Sequence, residues 1–242
     1  MSWREDAKHR ASVEAARLVE DDQIVGLGSG STMYYLIEEL GRRIREEELR
    51  ICCIPTSKQT ESQARKHKIK LTTLDKHPQI DIAIDGADQV DSNLNLIKGK
   101  GGALTREKIV DSIARFLIIV VDETKLTDHL GLMQPVPIEV MPFALKPVMN
   151  RIKKMGGEPV IRFATKTASP SSTEQYFTTD NGNIIIDAEF GTIKAPKKME
   201  MELKMIPGVI ENGLFVNMAH RVYVGMKSGA IKTVNKEEAF LQ

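Results

Sequence analysis

Cysteine is nearly absent from this chain. Its 242 residues include two, Cys52 and Cys53, and these are neighbours. Successive side chains on a strand point to opposite faces, and a bridge between adjacent residues would be strained. Both are therefore expected as reduced thiols of one buried strand. Metal-type cysteine spacing is missing, and His9, His67, His77, His129 and His220 form no close ligand pair, so no metal site is expected. Long apolar runs are lacking too. The longest uninterrupted aliphatic or aromatic run, Phe116 to Val121, falls far short of the roughly 20 residues that span a bilayer. The stretch from Met1 to Arg10 is polar, without the apolar centre of a secretory signal. These absences point to a cytoplasmic protein with no membrane partner. Nor does one charge dominate: 34 basic and 33 acidic side chains leave a formal net charge of +1. That balance argues against a nucleic-acid partner, which would call for a basic surface. It leaves room for a local basic pocket, because a total cannot register a patch.

What is present reads as alternating helix and strand. Arg4 to Glu20 carries Ala7, Ala11, Ala15 and Leu18 at helical spacing. Gln23 to Leu27, Ile51 to Ile54, Ile80 to Ile84 and Phe116 to Val121 read as strands. Thr32 to Arg45, Ser57 to Lys66 and Ala103 to Arg115 read as the helices between them, with Ser57 a cap. This alternation predicts an α/β, Rossmann-like, mostly parallel sheet covered by helices. Prolines then punctuate the chain at 135, 137, 142 and 147. Strand patterns follow at Ile138 to Met141, Val160 to Ala164, Gln175 to Thr178 and Ile184 to Ala188, with helices at Val148 to Met155 and Lys197 to Met205. Asp180-Asn181-Gly182-Asn183 is a hairpin signal, and Ser169 to Ser172 reads as loop. The order suits a smaller α+β domain, ferredoxin-like, over 131–206. The larger domain would then comprise 1–130 and 207–242, with strands at Leu214 to Asn217, Val222 to Val224 and Ile231 to Val234 rejoining the first sheet. No repeat, coiled-coil heptad or low-complexity tract occurs.

Three segments carry chemistry. Gly26-Leu27-Gly28-Ser29-Gly30-Ser31-Thr32 lies between a strand and a helix. Its hydroxyls and the unpaired amides of the helix start form a ready anion site, although it matches neither the dinucleotide fingerprint nor the P-loop. A capped glycine turn without ligand explains it equally well. Asp85-Gly86-Ala87-Asp88 places two carboxylates beyond a strand end, where open parallel sheets bind ligands. An Asx turn is the commoner cause of such a pair. Lys98-Gly99-Lys100-Gly101-Gly102 leads into a helix holding Thr105 and Glu107. Its Lys could stabilise an oxyanion, and its Glu could be a base or a helix-dipole partner. The three together favour one shared site.

In order and approximate spacing, Val-Gly-Leu-Gly-Ser-Gly-Ser-Thr, Ile-Asp-Gly-Ala-Asp and Lys-Gly-x-Gly-x-Ala-Leu-Thr-Arg-Glu-Lys resemble ribose-5-phosphate isomerase, type A, as does Pro207 to Phe215. The similarity covers essentially the whole chain. It implies interconversion of D-ribose 5-phosphate and D-ribulose 5-phosphate through an enediolate, a step of the non-oxidative pentose phosphate pathway, without a cofactor. It also implies that Glu107 is the base and that Lys98 stabilises charge on oxygen. Asp85 and Asp88 would handle hydroxyls, with Asp85 favoured for ring opening. The resemblance further implies substrate contacts from Ser29, Gly30, Ser31, Thr32, Gly86, Ala87, Gly99, Lys100, Gly101 and Lys125, with Lys8 a weaker phosphate candidate. A homodimer or homotetramer, assembled through the small domain, is implied as well. Two positions depart from the family pattern: Gln89 stands where Glu is frequent, and Lys100 where Gly is.

Proton transfer between adjacent carbons independently calls for one carboxylate over both and donors at the developing oxygens. Rival readings are a related phosphosugar isomerase or an amino-sugar-phosphate deaminase, and the sugar-phosphate-sensing domain of a transcription regulator. The last would carry an N-terminal DNA-binding module, for which a first strand at Gln23 leaves no room.

Overall fold

The computed structural model describes residues 2–164 and 175–236; the loop expected at Ser169 to Ser172 lies outside them. The chain opens with helix α1 (Trp3–Ala16), whose Ser2 accepts from the Glu5 amide while the Glu5 side chain accepts from the Ser2 amide. The stripe Ala7, Ala11 and Ala15 is fully buried and lets α1 lie close on the helix and strands beneath it. There follow β1 (Ile24–Leu27), α2 (Ser31–Glu46), β2 (Cys52–Pro55), α3 (Lys58–Lys66), β3 (Ile80–Gly86), β4 (Gln89–Val90), β5 (Leu96–Ile97), α4 (Leu104–Ile113) and β6 (Ala114–Asp122). The second half holds β7 (Val136–Val140), α5 (Leu145–Lys154), β8 (Glu158–Ile161), β9 (Ile184–Glu189), α6 (Pro196–Lys204), β10 (Val209–Asn212), β11 (Leu214–Phe215), β12 (Arg221–Gly225) and β13 (Ile231–Asn235).

The main sheet has the order β13-β12-β6-β3-β1-β2, parallel throughout except for β13. Strand β6 shows why it is covered on both faces. Ile118 and Val120 join the core beneath α1 and α2, whereas Leu117, Ile119 and Val121 join the core on the opposite face, as the period of two dictates. The same alternation splits the cysteines: Cys53 is buried, Cys52 half-buried, and both are free.

The second sheet has the antiparallel order β10-β7-β9-β8 with α5 and α6 packed on it, a ferredoxin-like arrangement. Its details differ from the sequence reading in three ways. Strand β10 lies beyond residue 207 yet pairs with β7. The turn at Gly208, φ 94°, brings it back so that its carbonyl accepts from Met141 and covers an otherwise open edge. Strand β11 does not rejoin the main sheet but pairs with β5 in a separate β11-β5-β4 sheet. The Gly213 carbonyl there accepts from the Lys98 amide, so this small sheet steers the lysine. Gln175 to Thr178 forms only isolated bridges, at Tyr176 and Thr178. Its hairpin turn nonetheless closes, with Thr179 N–H donating to the Asn183 carbonyl at 2.8 Å.

Candidate active site

The main sheet reverses its winding between β1 and β3, and ligands gather beyond the carboxyl ends of strands at such a crevice. The loops after β1, β3 and β6 all open there, on a cleft of about 380 Å³. Lys8, Ser29 to Thr32, Gly86 to Asp88, Lys98 to Gly101, Glu107, Val121, Asp122 and Lys125 line it. Every segment expected to form the site therefore converges on one cleft.

The first wall gathers groups able to hold an anion. Helix α2 begins after Gly30, φ 103°, with no side chain capping its opening amides. Lys8 of α1 donates to Ser31 Oγ at 3.1 Å, which brings a cation to that helix start. Ser29 Oγ lies 2.8 Å from Thr56 Oγ1 and 2.8 Å from Ser57 Oγ, and Thr60 Oγ1 donates to the Gly28 carbonyl at 2.9 Å. This hydroxyl cluster holds the loop. From sequence, Ser57 is visible only as the cap of α3, a role it also fills by accepting from the Thr60 amide.

The floor is a buried charge cluster. Asp85, at the end of β3, is fully buried, and its Oδ1 accepts from the Gly86 amide at 2.6 Å and the Ser29 amide at 3.2 Å. A Cβ on Gly28 would stand 1.9 Å from that oxygen, so only glycine lets the anion loop approach so closely. Lys98 Nζ donates to the Gly86 carbonyl at 2.6 Å and makes ionic contacts with Asp85 Oδ2 at 2.9 Å and Glu107 Oε2 at 3.4 Å. Burial opposes the ammonium, yet Asp85, Glu107 and Asp111 outweigh it and push the Lys98 pKa up, so the group stays charged. Burial raises the Asp85 carboxyl against the pull of Lys98. Burial also lifts Glu107 to about 8; Lys98 restrains the rise, while Asp85 and Asp88 add to it. A carboxylate so poised near neutrality suits a general base.

Asp85 lies beneath the cleft rather than on its wall, whereas Asp88 lines it. Ring opening, expected of Asp85, would thus require direct reach from a residue whose oxygens are engaged by Lys98 and two amides. Asp88 Oδ2 accepts from the Lys100 amide at 2.9 Å, so the backbone of Lys100 shapes the loop. Lys100 avoids positive φ, which Gly99 and Gly102 adopt instead. Arg162, paired with Asp187, donates to the carbonyls of Gly99 and Lys100 at 2.9 and 3.0 Å. Gln89 is buried, with Oε1 accepting from the Gly131 amide, away from the cleft lining.

Asp111 is the residue that sequence reasoning missed. It sits one turn beyond Glu107 on the buried face of α4, with Leu104 and Val110, and neither carboxylate oxygen has a hydrogen-bond partner. Burial and the neighbouring Asp85 push its pKa well above the usual carboxylate value, against the pull of Lys98. Two acids on the apolar stripe of one helix were the available signal. No cluster of three or more potential metal ligands occurs among the described residues, and none of their helices is long and apolar enough to cross a membrane.

A poised carboxylate against a fixed ammonium, facing an anion loop across one cleft, defines an α/β enzyme suited to proton transfer on a small anionic substrate. The sequence profile of ribose 5-phosphate isomerase A (phosphoriboisomerase A) matches residues 52–229. A relative from Methanosarcina acetivorans, ribose-5-phosphate isomerase A, is 48% identical over 231 residues, covering 96% of this chain and 95% of its own. The solved structure of ribose 5-phosphate isomerase A from Methanocaldococcus jannaschii superposes with a TM-score of 0.89 at 45% identity, over 96% of this chain and 99% of that one. Another solved structure, a D-ribose-5-phosphate isomerase in complex with phospho-erythronic acid, superposes at 0.91 with 44% identity and the same coverage. The chain belongs to the ribose 5-phosphate isomerase A family and is an isomerase.

Proposed function

We propose that this chain interconverts D-ribose 5-phosphate and D-ribulose 5-phosphate, with Glu107 moving the proton between C2 and C1 through an enediolate. The observation that carries this reading is the placement of Glu107, at 3.4 Å from Lys98, on the same cleft as the anion loop. Phosphate lies at Ser29 to Thr32 with Lys8 and Lys125, and this remote anchor fixes the sugar so that the base meets the right carbons. Lys98 stabilises the enediolate oxygen as charge develops on it. Asp88 reaches the ring hydroxyl, and Asp85 holds Lys98 in place. The phospho-erythronic acid in the related structure supports a phosphorylated sugar acid or sugar as the class of ligand.

Turnover of ribose 5-phosphate, measured beside arabinose 5-phosphate and glucosamine 6-phosphate with chelator present, tests substrate choice. Comparable rates on the other two would point to a different phosphosugar enzyme. The companion variant Glu107→Gln is expected to lose turnover while still binding phosphosugar, because an amide keeps the shape but accepts no proton. Normal turnover would remove Glu107 from the mechanism.

The small domain also carries exposed apolar side chains, Phe143 at 94% exposure and Met205 at 81%. They support assembly of a homodimer or homotetramer through that face. Light scattering of the purified protein beside Phe143→Asp tests this; a monomeric wild type would reject it. The near-absence of cysteine, with no spacing suited to disulfides, supports a cytoplasmic setting, which cell fractionation tests.

A further inference from the structure

Helix α4 presents Glu107 to the cleft, yet its other polar side chains in those turns leave in a different direction. Thr105 Oγ1 donates to Glu139 Oε2 at 2.6 Å. Arg106 Nε donates to Asn181 Oδ1 at 2.7 Å. Lys108 Nζ contacts Glu200 Oε1 at 3.1 Å and Glu211 Oε1 at 3.0 Å. All these partners belong to the sheet β10-β7-β9-β8, its helix α6 or its hairpin turn. The base is therefore carried on a helix whose flanking residues are gripped by the second domain.

Glu139, on β7, is the hub of that grip. It is fully buried, and no Lys or Arg pairs with it among the described residues. Its Oε1 accepts from Thr179 Oγ1 at 2.9 Å, Asn181 Nδ2 at 3.1 Å and Asn183 Nδ2 at 2.8 Å. Its Oε2 takes the Thr105 hydroxyl. A buried carboxyl is costly unless hydrogen bonds fill its lone pairs, and a filled network of this kind is rigid. The same turn reaches the other wall of the cleft, because Asp180 Oδ2 accepts from the Lys58 amide at 2.8 Å. Lys58 follows Ser57 of the hydroxyl cluster that holds the anion loop. One hydrogen-bonded turn thus spans the helix that carries the base and the segment behind the phosphate wall.

We propose that Glu139 is a positioning residue for the isomerisation: through Thr105 and the turn 179–183 it sets the place of Glu107 against Lys98 and the bound sugar. This rests on Glu107 being the base. A Glu107 carboxylate that drifts from Lys98 loses both its aim at the substrate and the cation that restrains its pKa. Misplacement by about 1 Å is enough to slow a reaction roughly 100-fold.

The test compares Thr105→Val, which removes the hydroxyl at constant volume, with Thr105→Ser, which keeps it. Kinetics and pH profiles are measured on samples shown folded by circular dichroism. Thr105→Val is expected to lower kcat roughly 10- to 100-fold with KM nearly unchanged, and to move the rising limb of kcat/KM to higher pH. Thr105→Ser is expected to restore both. Glu139→Gln, which turns one acceptor into a donor, moves both readouts in the same direction as Thr105→Val. A folded Thr105→Val with wild-type kcat and an unmoved limb overturns the proposal. So does a loss of rate accounted for entirely by the unfolded fraction. Glu107→Gln is run alongside: if it turns over normally, the base assignment fails and this proposal falls with it. If only Glu107→Gln is inactive, the base assignment stands and the positioning role alone is rejected.

Discussion

Lys98 Nζ lies 2.9 Å from Asp85 Oδ2, and Asp85 in turn receives the Ser29 amide of the anion loop. The cation is thus tied to the end of β3, while its contact with Glu107 is the longer one, at 3.4 Å. A fixed cation beside a less tightly held carboxylate suits the base role proposed for Glu107, which would act at two adjacent carbons.

Loss of that cation should be felt twice. Lys98→Met is expected to lower kcat by about 100-fold or more, the scale of removing one oxyanion donor. It also leaves Asp85 and Glu107 buried without their counter-charge, a cost of about 3–5 kcal/mol. Both carboxyls escape that cost by taking protons, so the destabilisation should be larger near pH 9 than near pH 5. Chemical denaturation at the two pH values measures this. Equal losses at both would show that the ion pairs contribute little.

The pKa of Glu107, lifted by burial to about 8, sets the pH dependence of the free enzyme. With Glu107 as the proposed base, only its ionised form would accept the proton, so kcat/KM should rise with pH up to about 8 and level beyond it. A profile already flat above about pH 6 would mean that the base titrates in the ordinary carboxylate range.

Stability should move the opposite way. The carboxyl titrates near 4.5 in an unfolded chain and near 8 when folded, so between these values the folded state holds the extra proton. The stabilisation is complete below about 4.5 and is lost as pH rises through about 8. Glu107→Gln removes this penalty, and should be more stable than wild type near pH 9 by on the order of 5 kcal/mol. The gain should vanish near pH 4. Thermal denaturation across that range checks the sign, and a gain that grows toward acid would contradict it.

The phosphate wall should separate binding from chemistry. Ser31→Ala combined with Thr32→Ala removes two hydroxyls from the cleft lining but leaves Lys98 and Glu107 in place. It is expected to raise KM by about tenfold while changing kcat far less, because the lost contacts act on ground and transition states alike. Lys8→Ala should act in the same sense. Steady-state kinetics decide; a loss confined to kcat would mean that this loop contacts the reacting end of the sugar.

Local patterns made much of the site legible. The glycine-rich turn after β1, the Asp85–Asp88 pair after β3 and the Lys98–Glu107 segment point to a shared site only in combination, and all line or underlie the one cleft. Asp111 did not, because its meaning lies in burial without a hydrogen-bond partner, which depends on what packs over α4. Thr56, Ser57 and Thr60 were equally silent, since a hydroxyl becomes part of an anion wall only when a distant Ser29 is folded against it.

The sequence by itself determined the alternating strands and helices and the change to a smaller α+β unit. Those follow from periodicity and turn residues, which are local, whereas the roles of the site residues came only with the family resemblance. Tertiary structure alone decided that Asp85 lies under the cleft and Asp88 on it. It decided too that β10 and β11 leave the main sheet for two smaller ones, and that Glu139 reaches across to the helix of Glu107. Each of these depends on hydrogen bonds between segments far apart in the chain. Strand pairing and burial, not local pattern, choose such partners.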